Sequence, residues 1–108
     1  MTMMGILQVA SYIYKRYMDD FGVRIDEMKL HKLLYFTQRE CLIQKGEPMF
    51  DAQFEAWKYG PVMVQIRQHY KNDSLPELMD KEQVVQYEPV FDMVFKTYAP
   101  QKSWSLST

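Results

Sequence analysis

Apolar residues recur at helical spacing in four stretches of the chain, separated by short polar or proline-containing breaks. In the first, residues 5–18, Ile6, Val9, Ala10, Ile13 and Tyr17 fall within an arc of about 100° at 3.6 residues per turn. Gln8, Ser11, Lys15 and Arg16 lie elsewhere, so this helix is amphipathic, and Asp19, Asp20 and Gly22 end it. The second stretch, residues 26–44, opens on Asp26 as N-cap and closes at Gly46 with Pro48 beyond. Leu30, Leu33, Leu34, Thr37 and Cys41 form its main stripe. Met28, Tyr35 and Leu42 make a second seam, and Phe36 with Ile43 mark a third direction. Side chains pointing three ways require neighbours on several sides. That places this helix, about 28 Å long at about 1.5 Å per residue, at the centre of a bundle.

The remaining pattern is shorter. Phe54, Ala56 and Lys58 alternate with Glu55, Trp57 and Tyr59, which suits a brief extended strand. Gly60-Pro61 then reads as a stop followed by a helix start, because proline at a first helical position gives up an N–H that had no partner anyway. The expected third helix covers residues 61–71, with Val62, Ile66, His69 and Tyr70 inward, and Asn72, Asp73 and Ser74 end it. A fourth is expected over residues 89–98, again opened by a proline, with Val90, Met93, Val94 and Thr97 as its stripe and Phe91, Phe95 and Tyr98 beside it. Residues 83–87 read equally as strand or helix lead-in, and as a strand they would pair with residues 54–57. The fold expected is mainly α: a compact bundle of about four helices, with room for a short two-stranded β element, forming a single domain over residues 1–108.

Composition refines this picture only at a few points. A chain of 108 residues with 47% apolar and 15% aromatic content can build one core without staples. The net charge of −1 gives no overall pull toward nucleic acid or an anionic membrane. Between residues 73 and 92, six acids face one base, Lys81, which reads as a solvated, mobile connection, with an acidic docking patch as the alternative. Cys41 is the only cysteine, so no intramolecular disulfide is available. No stretch approaches the roughly 18 apolar residues of a membrane span, and the start lacks a basic n-region and cleavage site. A cytoplasmic protein without membrane contact is expected.

Candidate chemistry is thin. His31, His69 and Cys41 are the only soft or borderline metal donors, and His31 and Cys41 sit about 15 Å apart along one helix. His31 reads as a surface residue, His69 as core or boundary, and Cys41, on the apolar stripe, as an inert thiol. Asp19-Asp20 and Asp26-Glu27 lie at helix ends, where carboxylates interact with the helix dipole or cap the helix. The four glycines are dispersed, so no phosphate loop exists. No enzyme activity, catalytic residue, cofactor or metal is therefore expected. The helix over residues 61–71 offers Gln65, Arg67, Gln68 and Lys71 to DNA, but two basic residues make few phosphate contacts. What remains is a surplus of nine methionines and many aromatics. Trp57 and Tyr59 stand at a junction where full burial is hard, and Trp, Tyr and Met suit protein interfaces. Packing of Trp57 into the core is the alternative reading.

The order of motifs resembles the Panacea domain family of phage-associated, antitoxin-like proteins. The carrying residues are KLHKLLYF at 29–36, GEPMF at 46–50, FEAWKYGPV at 54–62 and the helix at 89–98 ending in Tyr98. The resemblance covers roughly residues 6–108, and AWKYGPV is its specific part. It implies a non-enzymatic protein that binds and neutralises a cognate toxin. The resemblance also leaves open an adaptor that delivers a bound protein to a cellular protease, and the DNA-facing residues leave open an autoregulator of a prophage operon. It further implies a His-containing motif and a Trp-bearing helix beyond Thr108, so the domain reads as shortened at its C-terminal end, with an uncovered face that favours partner contact or a homodimer. The expected partner contacts are Trp57, Tyr59, Gly60, Pro61 and Tyr35.

Overall fold

In the computed structural model, the residues described are 5–51, 55–57, 60–75 and 81–101; for residues 55–57, 60 and 61 only the backbone is considered. The order of elements is α1 (Ile6–Phe21), α2 (Glu27–Lys45), β1 (Glu55–Trp57), β2 (Gly60–Val62), α3 (Val64–Lys71) and α4 (Lys81–Thr97). α2 is the hub, with α1, α3, α4 and β2 all packed against it. Its main stripe is buried as the spacing requires: Leu30, Leu33, Leu34 and Cys41 are closed to solvent, and Thr37 donates its hydroxyl to the Leu33 carbonyl at 2.6 Å.

The first two helices close at the expected glycines, although α1 runs through Asp19 and Asp20 to Phe21. The Asp26 carboxylate accepts from the Lys29 N–H at 2.8 Å, satisfying an orphan donor of the first turn of α2. Gly22 and Gly46 close α1 and α2 at φ of 73° and 74°, a left-handed geometry that a side chain would strain. Their N–H groups reach back to the Met18 and Leu42 carbonyls at 2.8 and 3.0 Å.

The prolines behave differently from expectation. Pro61 does not open α3; it lies in β2, opposite Ala56, in an antiparallel ladder that also pairs Glu55 with Val62 and Trp57 with Gly60. A two-stranded ribbon leaves one side of each strand open, and a missing N–H costs nothing where it would point outward. α3 starts only at Val64. Likewise, Pro89 does not open α4 but lies two turns inside it, and residues 83–87 are helical, so they are not the partner of β1.

An internal proline removes one hydrogen bond and crowds the carbonyl four residues earlier, at a cost of about 3 kcal/mol. The burial of Tyr87, Val90, Phe91, Val94 and Phe95, at helical spacing on both sides of Pro89, outweighs it. The inward face of α4 is therefore the aromatic one, while Met93 and Thr97 face outward. Residues 81–92, expected within a mobile acidic connection, instead form most of α4, and Asp92 bonds Arg16 of α1 at 3.0 Å.

A candidate partner-binding face

Three polar side chains on α2 fasten the segments around it. Lys29, only 5% exposed, donates its ammonium to the Ala99 carbonyl at 3.0 Å and so holds the chain just past the end of α4. Gln38 uses both ends of its amide: Nε2 donates to the Phe50 carbonyl at 2.7 Å, and Oε1 accepts from the Met49 N–H at 2.9 Å. The loop after α2 is thereby folded back, and Met49 and Phe50 are buried. His31 does the same for the hairpin. Its Nδ1 accepts from the N–H of Met63, the residue after β2, at 3.3 Å.

His31 is buried at 2% exposure rather than lying on the surface, because it fills the space between α2 and the start of α3. An Nδ1 that accepts carries no proton, so the ring is neutral, with its proton on Nε2 directed at Glu27 Oε2, 3.3 Å away. Arg67 of α3 faces the same carboxylate oxygen at 3.5 Å. Burial holds the imidazole below its ordinary value, against the opposing pull of Glu27. The folded chain therefore binds fewer protons at His31 than the unfolded chain does. The stabilisation is full above about pH 6.5 and is lost as the pH falls, by at most about 1.4 kcal/mol per pH unit. Denaturant unfolding at about pH 7.5 and about pH 5 checks this: the wild type loses stability, and His31→Asn, which keeps an acceptor for Met63, loses less.

Beyond Tyr35 the outer side of α2 turns to solvent. Leu42 is 47% exposed and Ile43 68% exposed, although the sequence pattern marked both as contacts to neighbours within the fold. With Tyr35, Gln38 and Arg39 they line a shallow, largely apolar depression of about 540 Å³. Of the residues expected to contact a partner, Tyr35 is half-buried in this depression and meets the Phe36 ring edge-on at 5.6 Å between centroids. Trp57 ends β1, Gly60 and Pro61 belong to β2, and Tyr59 lies outside the described residues. β2 packs on α2 and is anchored through Met63 to His31, one helical turn before Tyr35. The hairpin and the Tyr35–Ile43 seam are thus carried by one rigid helix. The seam is the part that sequence reasoning missed; the signal was there, in Leu42 and Ile43 lying off the main stripe.

A second hollow, of about 580 Å³ between α1 and α4, is bordered by Lys15, Arg16, Asp19, Asp20 and Lys81, with Tyr12, Val84 and Val85 supplying its apolar surface. Its charges are of both signs, and Arg16 is already engaged with Asp20 and Asp92. On α3, Arg67 is drawn to Glu27, which leaves the helix less able to contact phosphate. Burial pushes the Cys41 thiol up, away from the reactive thiolate. Among the described residues, no cluster of three His, Cys, Asp or Glu side chains could hold a metal ion, and no helix is long and apolar enough to cross a membrane.

Comparison with known proteins adds a family. The model of the family described as "Antitoxin SocA-like, Panacea domain" matches residues 30–105, most of the chain. Antitoxin SocA of Caulobacter vibrioides (strain NA1000 / CB15N) is 48% identical over 40 residues, which is 37% of this chain and 21% of that protein. The match thus spans about a fifth of the relative's length. No solved structure matches the chain.

Proposed function

Because the chain belongs to the Antitoxin SocA-like, Panacea domain family, we propose that it is an antitoxin that binds a protein toxin stoichiometrically and blocks it, without making or breaking covalent bonds. The observation that carries this reading is the open apolar seam of α2, Tyr35 through Ile43, on the same helix against which β2 packs. Isolated exposed apolar residues are ordinary, but a contiguous seam on a rigid helix is what partner proteins cover. Tyr35, Leu42 and Ile43 supply the apolar area, and Trp57, Tyr59, Gly60 and Pro61 are the further contacts expected from the sequence. A few such anchors dominate the affinity of an interface.

The test is co-expression with a growth-inhibitory protein encoded beside this chain. Growth is restored, the two proteins co-purify, and the inhibitor's level stays constant. Absence of rescue contradicts the reading. Rescue accompanied by disappearance of the inhibitor contradicts stoichiometric blocking and points to delivery to a protease.

A further inference from the structure

The chain has four arginines, and three are spent inside the fold. Arg16 pairs with Asp20 and Asp92, Arg24 with Asp73 and the Tyr14 hydroxyl, and Arg67 with Glu27. Arg39 is the exception. It is exposed, and among the described residues no carboxylate comes within ion-pair distance of it. Its neighbours along the helix, three and four residues away on either side, are Tyr35, Leu42 and Ile43 of the seam and the buried Phe36. A single guanidinium therefore stands in the middle of an apolar seam, with no acid at any position that could pair with it along the helix.

Water solvates that charge while the seam is open. A partner that covers Leu42 and Ile43 also strips water from Arg39, and an uncompensated buried charge would cancel much of the affinity gained. A carboxylate offsets this best, since two of its oxygens can accept from the guanidinium together. We propose that the seam receives an amphipathic helix of the toxin whose apolar stripe is interrupted by one aspartate or glutamate, seated on Arg39; this rests on the antitoxin reading. A second copy of the chain is a poor occupant. Two-fold pairing of identical seams would bring two Arg39 side chains into one apolar interface and supply no acid from either seam.

The experiment uses two synthetic helical peptides with leucines at i, i+3, i+4 and i+7, one carrying a central glutamate and one a lysine there. Titrated against the intact chain, the glutamate peptide binds at least about tenfold more tightly than the lysine peptide. Arg39→Glu inverts the preference, and Arg39→Lys retains the sign but loses part of it. Melting temperatures confirm that the variants are folded. Equal binding of the two peptides, a preference that survives Arg39→Glu, or concentration-dependent dimerisation through this seam overturns the proposal. Any of these alongside intact growth rescue removes the acidic-helix proposal and leaves the antitoxin reading standing; loss of rescue removes the reading itself.

Discussion

Phe91→Ala lowers the unfolding free energy by about 3–5 kcal/mol, a large fraction of the roughly 5–15 kcal/mol that a domain of this size has. Phe91 is closed to solvent and packs its ring against Tyr12 of α1 at 4.4 Å between centroids, tilted by 43°. The substitution empties a space between α4 and α1, while the chain at the end of α4 is held on α2 by the Phe36–Tyr98 stack at 4.0 Å and α4 itself on α1 by the Arg16–Asp92 pair. Those contacts limit how far the helices can collapse into the hole, which keeps the cost near the upper end. The melting temperature falls by more than about 10 °C. Phe91→Leu, which preserves most of the volume, costs less than about 1.5 kcal/mol. Thermal unfolding of the three proteins in one buffer reads both effects; equal losses for Ala and Leu would mean that the site is not tightly packed.

Replacing Leu42 and Ile43 together by glutamine abolishes toxin neutralisation while leaving the fold intact. Leu42 is about half in water and Ile43 about two-thirds, so the folded state loses little, within about 0.5 kcal/mol for each. Glutamine is chosen over aspartate because the two positions lie in the last turns of α2, where a negative charge opposes the helix dipole. In the complex the same two residues would each contribute about 1.5–3 kcal/mol of apolar burial, so affinity falls by more than about 100-fold. Growth rescue and the melting temperature of the double variant are measured side by side. Lost rescue with unchanged melting assigns the seam to the partner; unchanged rescue removes it from the interface.

Helix ends and the main core stripe were legible from the chain alone. Asp26, Gly22 and Gly46 act through bonds to residues three or four positions away, and such local chemistry is visible in order. Leu30, Leu33, Leu34 and Cys41 follow from periodicity, since one helix face can meet only one environment. The prolines misled for the complementary reason. Pro61 and Pro89 each have a strong local preference for a helix start, and each is overridden by contacts outside the helix it was expected to open: the hairpin ladder with β1 for the first, the packing of the aromatic face of α4 for the second. His31 could not be recognised as buried because its partner, the Met63 N–H, is 32 residues away. Leu42 and Ile43 expose a further limit. An apolar pattern records that a face wants covering, but it is silent on whether the cover comes from the same chain. The family motif was legible, while the exposed seam of α2 emerged only once the neighbours of that helix were in place.

The most direct measurement of the central claim is the set of backbone amide resonances of this 13.0 kDa chain before and after saturation with the growth-inhibitory protein identified by the co-expression test. The account predicts that perturbations concentrate on residues 35–43 of α2 and on residues 60, 62 and 63, with the outward side of α4 little changed. A map centred instead on the hollow between α1 and α4, with the α2 seam unaffected, would contradict it.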